Sequence, residues 1–161
     1  MNVTLSDRHK VSVIVPICNV ERYLGQCLSS ILRQTFGDLE VICLNDGSSD
    51  GSSAIAHSFA AQDPRVSVVD KDNEGYGATC NRGIDLATGD YLAIVEPDDY
   101  LEPGMYGNLV AFGDTFGEPV DVIRAPYWRV FEFDGGQSQR VTCAYKGRVN
   151  PPSQPFSIGD G

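Results

Sequence analysis

Val41-Ile42-Cys43-Leu44-Asn45-Asp46-Gly47-Ser48-Ser49-Asp50-Gly51 decides how the rest of this chain is read. Four apolar residues end abruptly in Asn45 and Asp46, a glycine follows, and Ser48, Ser49 and Asp50 offer helix-capping side chains. The pattern is that of a buried strand handing a carboxylate to the loop at its carboxyl end. In open α/β sheets ligands bind there, because strand ends meet the amino termini of the following helices.

The flanking sequence repeats this grammar. Val11 to Val15 is a β-branched apolar run, read as a strand covered on both faces and ended by Pro16, which has no N–H for a ladder. Val20, Tyr23, Leu24, Cys27, Leu28, Ile31 and Leu32 recur at helical spacing behind Asn19, a candidate N-cap. Leu39 to Leu44 is the second strand. Ala54, Ile55 and Phe59 face the sheet from a helix that runs to about Gln62 and is closed by Pro64. Arg65 to Asp70 reads as a third strand, Asp72 to Gly77 as a polar loop and Ala78 to Ala87 as a helix. Tyr91 to Val95 is wholly apolar and is therefore read as a central strand. Three strand–helix pairs and a fourth strand imply right-handed crossovers and a mostly parallel sheet with helices on both faces. Further on, Pro103 opens a helix to about Phe112, Val120 to Ala125 reads as a strand, and Tyr127 to Phe133 with Arg140 to Tyr145 as a hairpin. One domain is expected over residues 1–146, followed by a Pro-, Ser- and Gly-rich tail over 147–161 without periodicity.

Apolar residues make up 42% of the 161, enough for a soluble core without staples. Acidic residues outnumber basic ones 22 to 12, a formal net charge of -10 that argues against nucleic acid or an anionic membrane as partner. Any phosphate ligand then needs a local cation or a metal ion. The cysteines Cys18, Cys27, Cys43, Cys80 and Cys143 include no C-x-x-C pair and read as free, mostly buried thiols of a reducing compartment. No run approaches the ~18 apolar residues of a membrane span and no signal-peptide core precedes Lys10. The chain is therefore read as cytoplasmic, with contact to the inner face of the cell membrane left to other regions. His57 lies off the apolar face of its helix and reads as solvated.

The residues that carry chemistry are acidic. Asp46 ends one strand, and Glu96, Asp98 and Asp99 follow another. A carboxylate can accept the N–H of a pyrimidine base, and alternate carboxylates on a turn can hold a hard divalent cation through oxygen. Gly75-Tyr76-Gly77-Ala78-Thr79-Cys80 opens a helix after a strand but lacks the third glycine of a dinucleotide fingerprint, and no P-loop ending occurs.

Taken together, Val13-Ile14-Val15-Pro16 with Asn19, Arg33-Gln34-Thr35-Phe36, Asn45-Asp46-Gly47-Ser48, Asn81 with Gly83, and Glu96-Pro97-Asp98-Asp99 resemble the nucleotide-binding half of the family 2 glycosyltransferases, inverting enzymes of the GT-A fold. The likeness covers residues 10–106. It implies a three-layer α/β sandwich, Rossmann-like, with a mostly parallel central sheet, and a nucleotide-sugar donor, a UDP-sugar. Pro16 and Asp46 would meet the uracil, with Cys18 and Asn19 beside them, and Asn73 with the Gly75 to Gly77 backbone would line the ribose-diphosphate. Glu96, Asp98 and Asp99 would form the D-x-D-type motif for a divalent metal, Mg2+ or Mn2+. The acceptor implied is a saccharide or a lipid-linked sugar, in polysaccharide biosynthesis. Cys18 stands where the family has an aromatic residue, Cys80 where it often has Arg, and Glu96 is longer than the usual Asp. No general base is identified among Glu102, Asp114, Glu118, Asp121, Glu132, Asp134 and Asp160, and in the family the base lies well past the metal motif. These residues are therefore expected to bind donor but transfer sugar poorly. The competing reading is a nucleotide-binding module without an acceptor site. A related nucleotidyltransferase would need a basic, glycine-rich segment that Val11 to Glu21 does not provide.

Overall fold

In the computed structural model, which describes residues 9–117, 120–133 and 137–143, the apolar runs pair as four parallel strands. They are β1 (Val11–Ile17), β2 (Leu39–Asp46), β3 (Val66–Lys71) and β4 (Tyr91–Ile94), in the order β3-β2-β1-β4. Between them run α1 (Glu21–Leu32), α2 (Ser52–Gln62) and α3 (Tyr76–Leu86), and α4 (Met105–Asp114) follows. Alternation along the strands splits the core in two. Val11, Val13, Val15, Val41 and Cys43 pack on one face with Leu24, Leu28 and Ile31 of α1 and Ala56 of α2. Ile14, Ile42 and Leu44 face the other way, against Leu86 and Ala87 at the end of α3. Helices thus cover both faces, as the order of elements requires.

α3 comes so close to the sheet because of Gly83. A Cβ there would lie 2.5 Å from Ile14 Cγ2 and 3.0 Å from Leu44 Cδ1, both fully buried. Overpacking of this kind costs about 1–3 kcal/mol, against which alanine regains at most ~1 kcal/mol in helix propensity. Gly83→Ala is therefore expected to lower the urea midpoint without changing the slope. A midpoint at or above that of wild type would show that the helix rides on the sheet with room to spare.

Several expectations are corrected. Pro16 does not end β1, which continues to Ile17 with Pro16 opposite Leu44. Even-numbered β1 residues turn their backbone groups toward β4, as the bonds Tyr91 N–H to Lys10 O and Val95 N–H to Ile14 O show. Pairing with β4 ends at Ile14 and Ile94, so the missing N–H of Pro16 forfeits no bond. β4 is an edge strand of the described sheet, not a central one, with Leu92 52% and Ile94 46% exposed. Continuous apolarity implied cover on both faces, but among the described residues the face carrying Leu92 and Ile94 is left half-exposed. α3 starts two residues earlier than read, because Gly75 makes its turn at φ 89. α2 buries Ala56, and Ala54 is exposed. Its N-cap position falls to Gly51 rather than to Ser48, Ser49 or Asp50.

The described residues form two units, the first ending at Val110 and the second starting at Ala111. In the second, Phe112 and Phe116 meet edge-to-face at 5.1 Å, and the hairpin forms from β5 (Tyr127–Phe133) and β6 (Gln137–Cys143), with Tyr127 opposite Cys143. Val120 to Ala125 is no strand: it has no ladder partner among the described residues, and Val122 is 53% exposed. The expected turn at Asp134-Gly135-Gly136 and the tail over 147–161 lie outside the described residues.

Among the described residues no helix is long and apolar enough to cross a membrane. Cys27, Cys43 and Cys80 are free and buried, and Cys18 is free and exposed.

Candidate functional site

The stretch from Asn45 to Ser52 and the start of α1 cap each other. Asn19, Val20 and Glu21 donate their backbone N–H groups to Ser48 Oγ (3.1 Å), Ser52 Oγ (2.9 Å) and Asp50 Oδ2 (3.1 Å). In return Ser49 N–H donates to Asn19 Oδ1 (2.8 Å) and Gly51 N–H to Glu21 Oε2 (2.6 Å). Two adjacent helix starts, each with orphan donors, are satisfied by each other's side chains. This corrects the reading of Asn19 as N-cap of its own helix. It sits in the left-handed region at φ 52, which Asn tolerates, and reaches across to the neighbouring loop.

Asp46, at the carboxyl end of β2, is 3% exposed. It accepts from Lys71 Nζ, from Glu74 N–H (2.8 Å) and from Gly75 N–H (3.0 Å). Burial works to raise its carboxyl, but the Lys71 and Glu74 bonds, the Lys71 charge and the Gly75 bond together hold it below the usual range. Asn73 Nδ2 donates to Asp46 O (3.0 Å) and lies 3.5 Å from Cys18 Sγ. Gly47 permits this approach: at φ 68, a Cβ there would stand 2.9 Å from Asn73 N. Asp46 therefore folds the 72–75 loop over the end of β2 and delivers Gly75, Tyr76 and Gly77 to the start of α3. At Gly75 and Gly77 an added Cβ would meet nothing within 4 Å, so this helix start is open to a ligand. Its free N–H groups suit an anion.

The acidic motif stands at the same edge, since all four strands run parallel and the motif follows β4. Tyr76 Oη donates to Glu96 Oε1, which joins the Asp46 loop to the motif; this bond, ahead of burial, raises the Tyr76 hydroxyl. Burial, then Asp98, then Glu96 push the Asp99 carboxyl up. Beneath them the Cys27 thiol is driven to about 12, first by burial and then by Asp99, Asp98 and Glu96. Crowded carboxylates without a basic partner among the described residues suit a hard divalent cation. No three ligating side chains among the described residues converge on one point. A cation here would take one or two carboxylates and fill its shell with water and phosphate oxygens.

Of the residues singled out from sequence, Asp46, Asn73 and Gly75 are thus brought into mutual contact, Cys18 lies against Asn73, and Glu96 is linked to them through Tyr76. Pro16 is buried inside β1, and Asn19 is committed to the clasp. His57 is exposed, as read, but is bound to Asp70 at 2.6 Å rather than only to water. Lys71, Tyr76 and Gln34 were missed as individual roles. Lys71 is the β3 register partner of Asp46, so aligning the ends of adjacent strands would have found it. Gln34 is 7% exposed, donates to Glu102 O (2.7 Å) and accepts from Tyr106 N–H (3.0 Å), holding the segment that follows the acidic motif.

A parallel α/β sandwich with a looped carboxylate, an open helix start and an acidic motif at one edge is the architecture of the GT-A fold. The chain belongs to glycosyl transferase family 2, whose profile matches residues 12–160. Glycosyltransferase GlyG of Streptococcus pneumoniae serotype 4 (strain ATCC BAA-334 / TIGR4) is 38% identical over 126 residues, which are 78% of this chain and 41% of GlyG. Among solved structures, S. aureus TarS 1-349 in complex with UDP-GlcNAc aligns with a TM-score of 0.59 at 28% identity, covering 66% of this chain and 31% of that one. The mannosyltransferase PcManGT from Pyrobaculum calidifontis in complex with GDP-Man and Mn2+ gives 0.52 at 25% identity, over 57% and 28%. The chain spans less than half the length of each of these relatives.

Proposed function

We propose that this chain binds the donor of a family 2 glycosyltransferase, a UDP-sugar, over residues 10–106 of a domain reaching to 146. The sugar would pass with inversion to a saccharide or lipid-linked acceptor, at a cytoplasmic site. The observation that carries this reading is the continuous contact path from Asp46 through the 72–76 loop to Glu96, which frames an open helix start between a buried carboxylate and an acidic motif that has no basic partner among the described residues. Relatives solved with UDP-GlcNAc and with GDP-Man and Mn2+ support it.

Each part has a defined task. Three of the roughly four acceptor positions of Asp46 are filled, which leaves one for the imino N–H of uracil. Cys18 and Asn73 flank that position, and the α3 start faces the diphosphate. Glu96 and Asp98, with Asp99 next in the motif, would hold a Mg2+ or Mn2+ ion. When bound, such an ion offsets the charge of the diphosphate leaving group.

UDP is expected to raise the melting temperature with Mn2+ present and much less with EDTA, since a ligand stabilises only by binding the folded state. Asp98→Ala removes the metal-dependent part. Equal stabilisation by UDP in Mn2+ and in EDTA would remove the cation from the site.

A further inference from the structure

Tyr76 is 55% exposed, yet its hydroxyl is on Glu96 and its backbone begins α3 directly after Gly75, whose N–H is on Asp46. One short segment therefore touches both ends of the site. Glu96 has one more rotatable bond than an aspartate, and among the described residues no basic group fixes its carboxylate. A long acidic arm that is free in solution loses rotamer freedom when it ligates a cation, and a partner that orients it beforehand removes that loss. Oriented acceptor atoms also favour one coordination geometry over others.

We propose that Tyr76 is a positioning residue. By donating to Glu96 it sets the carboxylate for a divalent cation, and because it rides on the loop that lines the nucleotide site, it couples cation binding to nucleotide binding. The proposal rests on the assignment of the cation to Glu96 and Asp98. Coupling of this kind is reciprocal: if a bound nucleotide steadies the 72–77 segment, it tightens the cation, and the cation tightens the nucleotide by the same factor. Tyr76→Phe keeps the ring and removes only the donor. Outer-shell partners of metal ligands are typically worth ~10–100-fold in metal affinity, and a hydroxyl on a half-exposed side chain belongs near the lower end, about 10-fold.

The test titrates Mn2+ alone into the 161-residue protein, following loss of the free Mn2+ signal by electron paramagnetic resonance, with and without UDP. Wild type, Tyr76→Phe, Asp98→Asn, Glu96→Ala and the double variant Tyr76→Phe with Glu96→Ala are compared, and melting temperatures are taken without ligand. The expected result is that Tyr76→Phe weakens Mn2+ binding about 10-fold and shrinks the tightening by UDP, while the ligand-free melting temperature stays at the wild-type value. On the Glu96→Ala background the same substitution has no further effect. Should Tyr76→Phe also lower the melting temperature, this cycle still isolates the pair. Wild-type Mn2+ affinity and wild-type UDP coupling in Tyr76→Phe, with binding lost in Asp98→Asn, would overturn the role of Tyr76 and leave the donor site standing. An equal loss from Tyr76→Phe in both Glu96 backgrounds would overturn it as well. Wild-type protein that takes up no Mn2+ even with UDP would bring down the cation assignment itself, and the proposal with it.

Discussion

Asp46→Asn is expected to cost about 2 to 4 kcal/mol of stability and to weaken UDP binding at least 10-fold. A carboxamide has one acceptor oxygen where Asp46 uses both, and its NH2 group must face Lys71 Nζ or a backbone N–H, all of them donors. Removing one partner of a buried charged network leaves the others unsatisfied, which is the expensive case. The pH dependence carries the opposite sign to that of a raised group. With its folded pKa depressed, Asp46 contributes stability that is full above the ordinary carboxylate value and is lost as pH falls through the folded value. Urea unfolding at pH 7 and at about pH 2.5, below the ordinary carboxylate value of 3.8, measures both effects. Adding Lys71→Met to Asp46→Asn separates structure from recognition: stability should recover in part, because the ammonium facing the carboxamide is gone although its bonds to Asp72 O (3.1 Å) and Glu74 Oε2 (3.0 Å) go with it, while UDP binding stays weak. Recovery of UDP affinity along with stability would mean that Asp46 serves the loop and not the base.

Glu40→Gln should destabilise by about 2 to 3 kcal/mol, with no effect on UDP binding. Glu40 lies near the amino-terminal end of β2, opposite the ligand edge, and ties β2 to β1 and to the segment before β4. It accepts from Thr88 N–H (2.6 Å), Lys10 Nζ (2.8 Å) and Ser12 Oγ. Burial works to raise its carboxyl, but the Lys10, Ser12 and Thr88 bonds bring it from an ordinary 4.5 down to about 2. Each pKa unit is about 1.4 kcal/mol, and with the side chain 19% exposed, screening trims the sum. The sign is again that of a depressed group: its stabilisation is complete above about 4.5 and fades toward pH 2. The gap between wild type and Glu40→Gln in urea melts should therefore be widest at pH 7 and about 1 kcal/mol narrower by pH 3.5. A gap independent of pH would show that Glu40 acts by packing rather than by charge.

Much of this protein was legible before any coordinates. β1, α1 and β2 are legible to within two residues at their ends, because continuous β-branched runs and a 3.6-residue apolar period are local signals that the two cores then reward. Strand order along the chain requires parallel pairing, and parallel pairing puts Asp46 and Glu96 to Asp99 at one edge, so the gathering of the acidic residues was already implied. Chain order left the neighbours of each residue open. That Lys71 meets Asp46 depends on the β2–β3 register, that Asn19 caps the loop of α2 depends on two helix starts lying side by side, and that Tyr76 reaches Glu96 depends on a loop folded by Asp46 across β1. The same limit explains β4, read as central and found at the edge of the described sheet, and Val120 to Ala125, whose β-branched residues have no ladder partner among the described residues. Periodicity records that a face is apolar and can be covered. Only the tertiary structure decides what covers it, since hydrogen bonds and ion pairs between residues distant in sequence are set by packing geometry that no local pattern encodes.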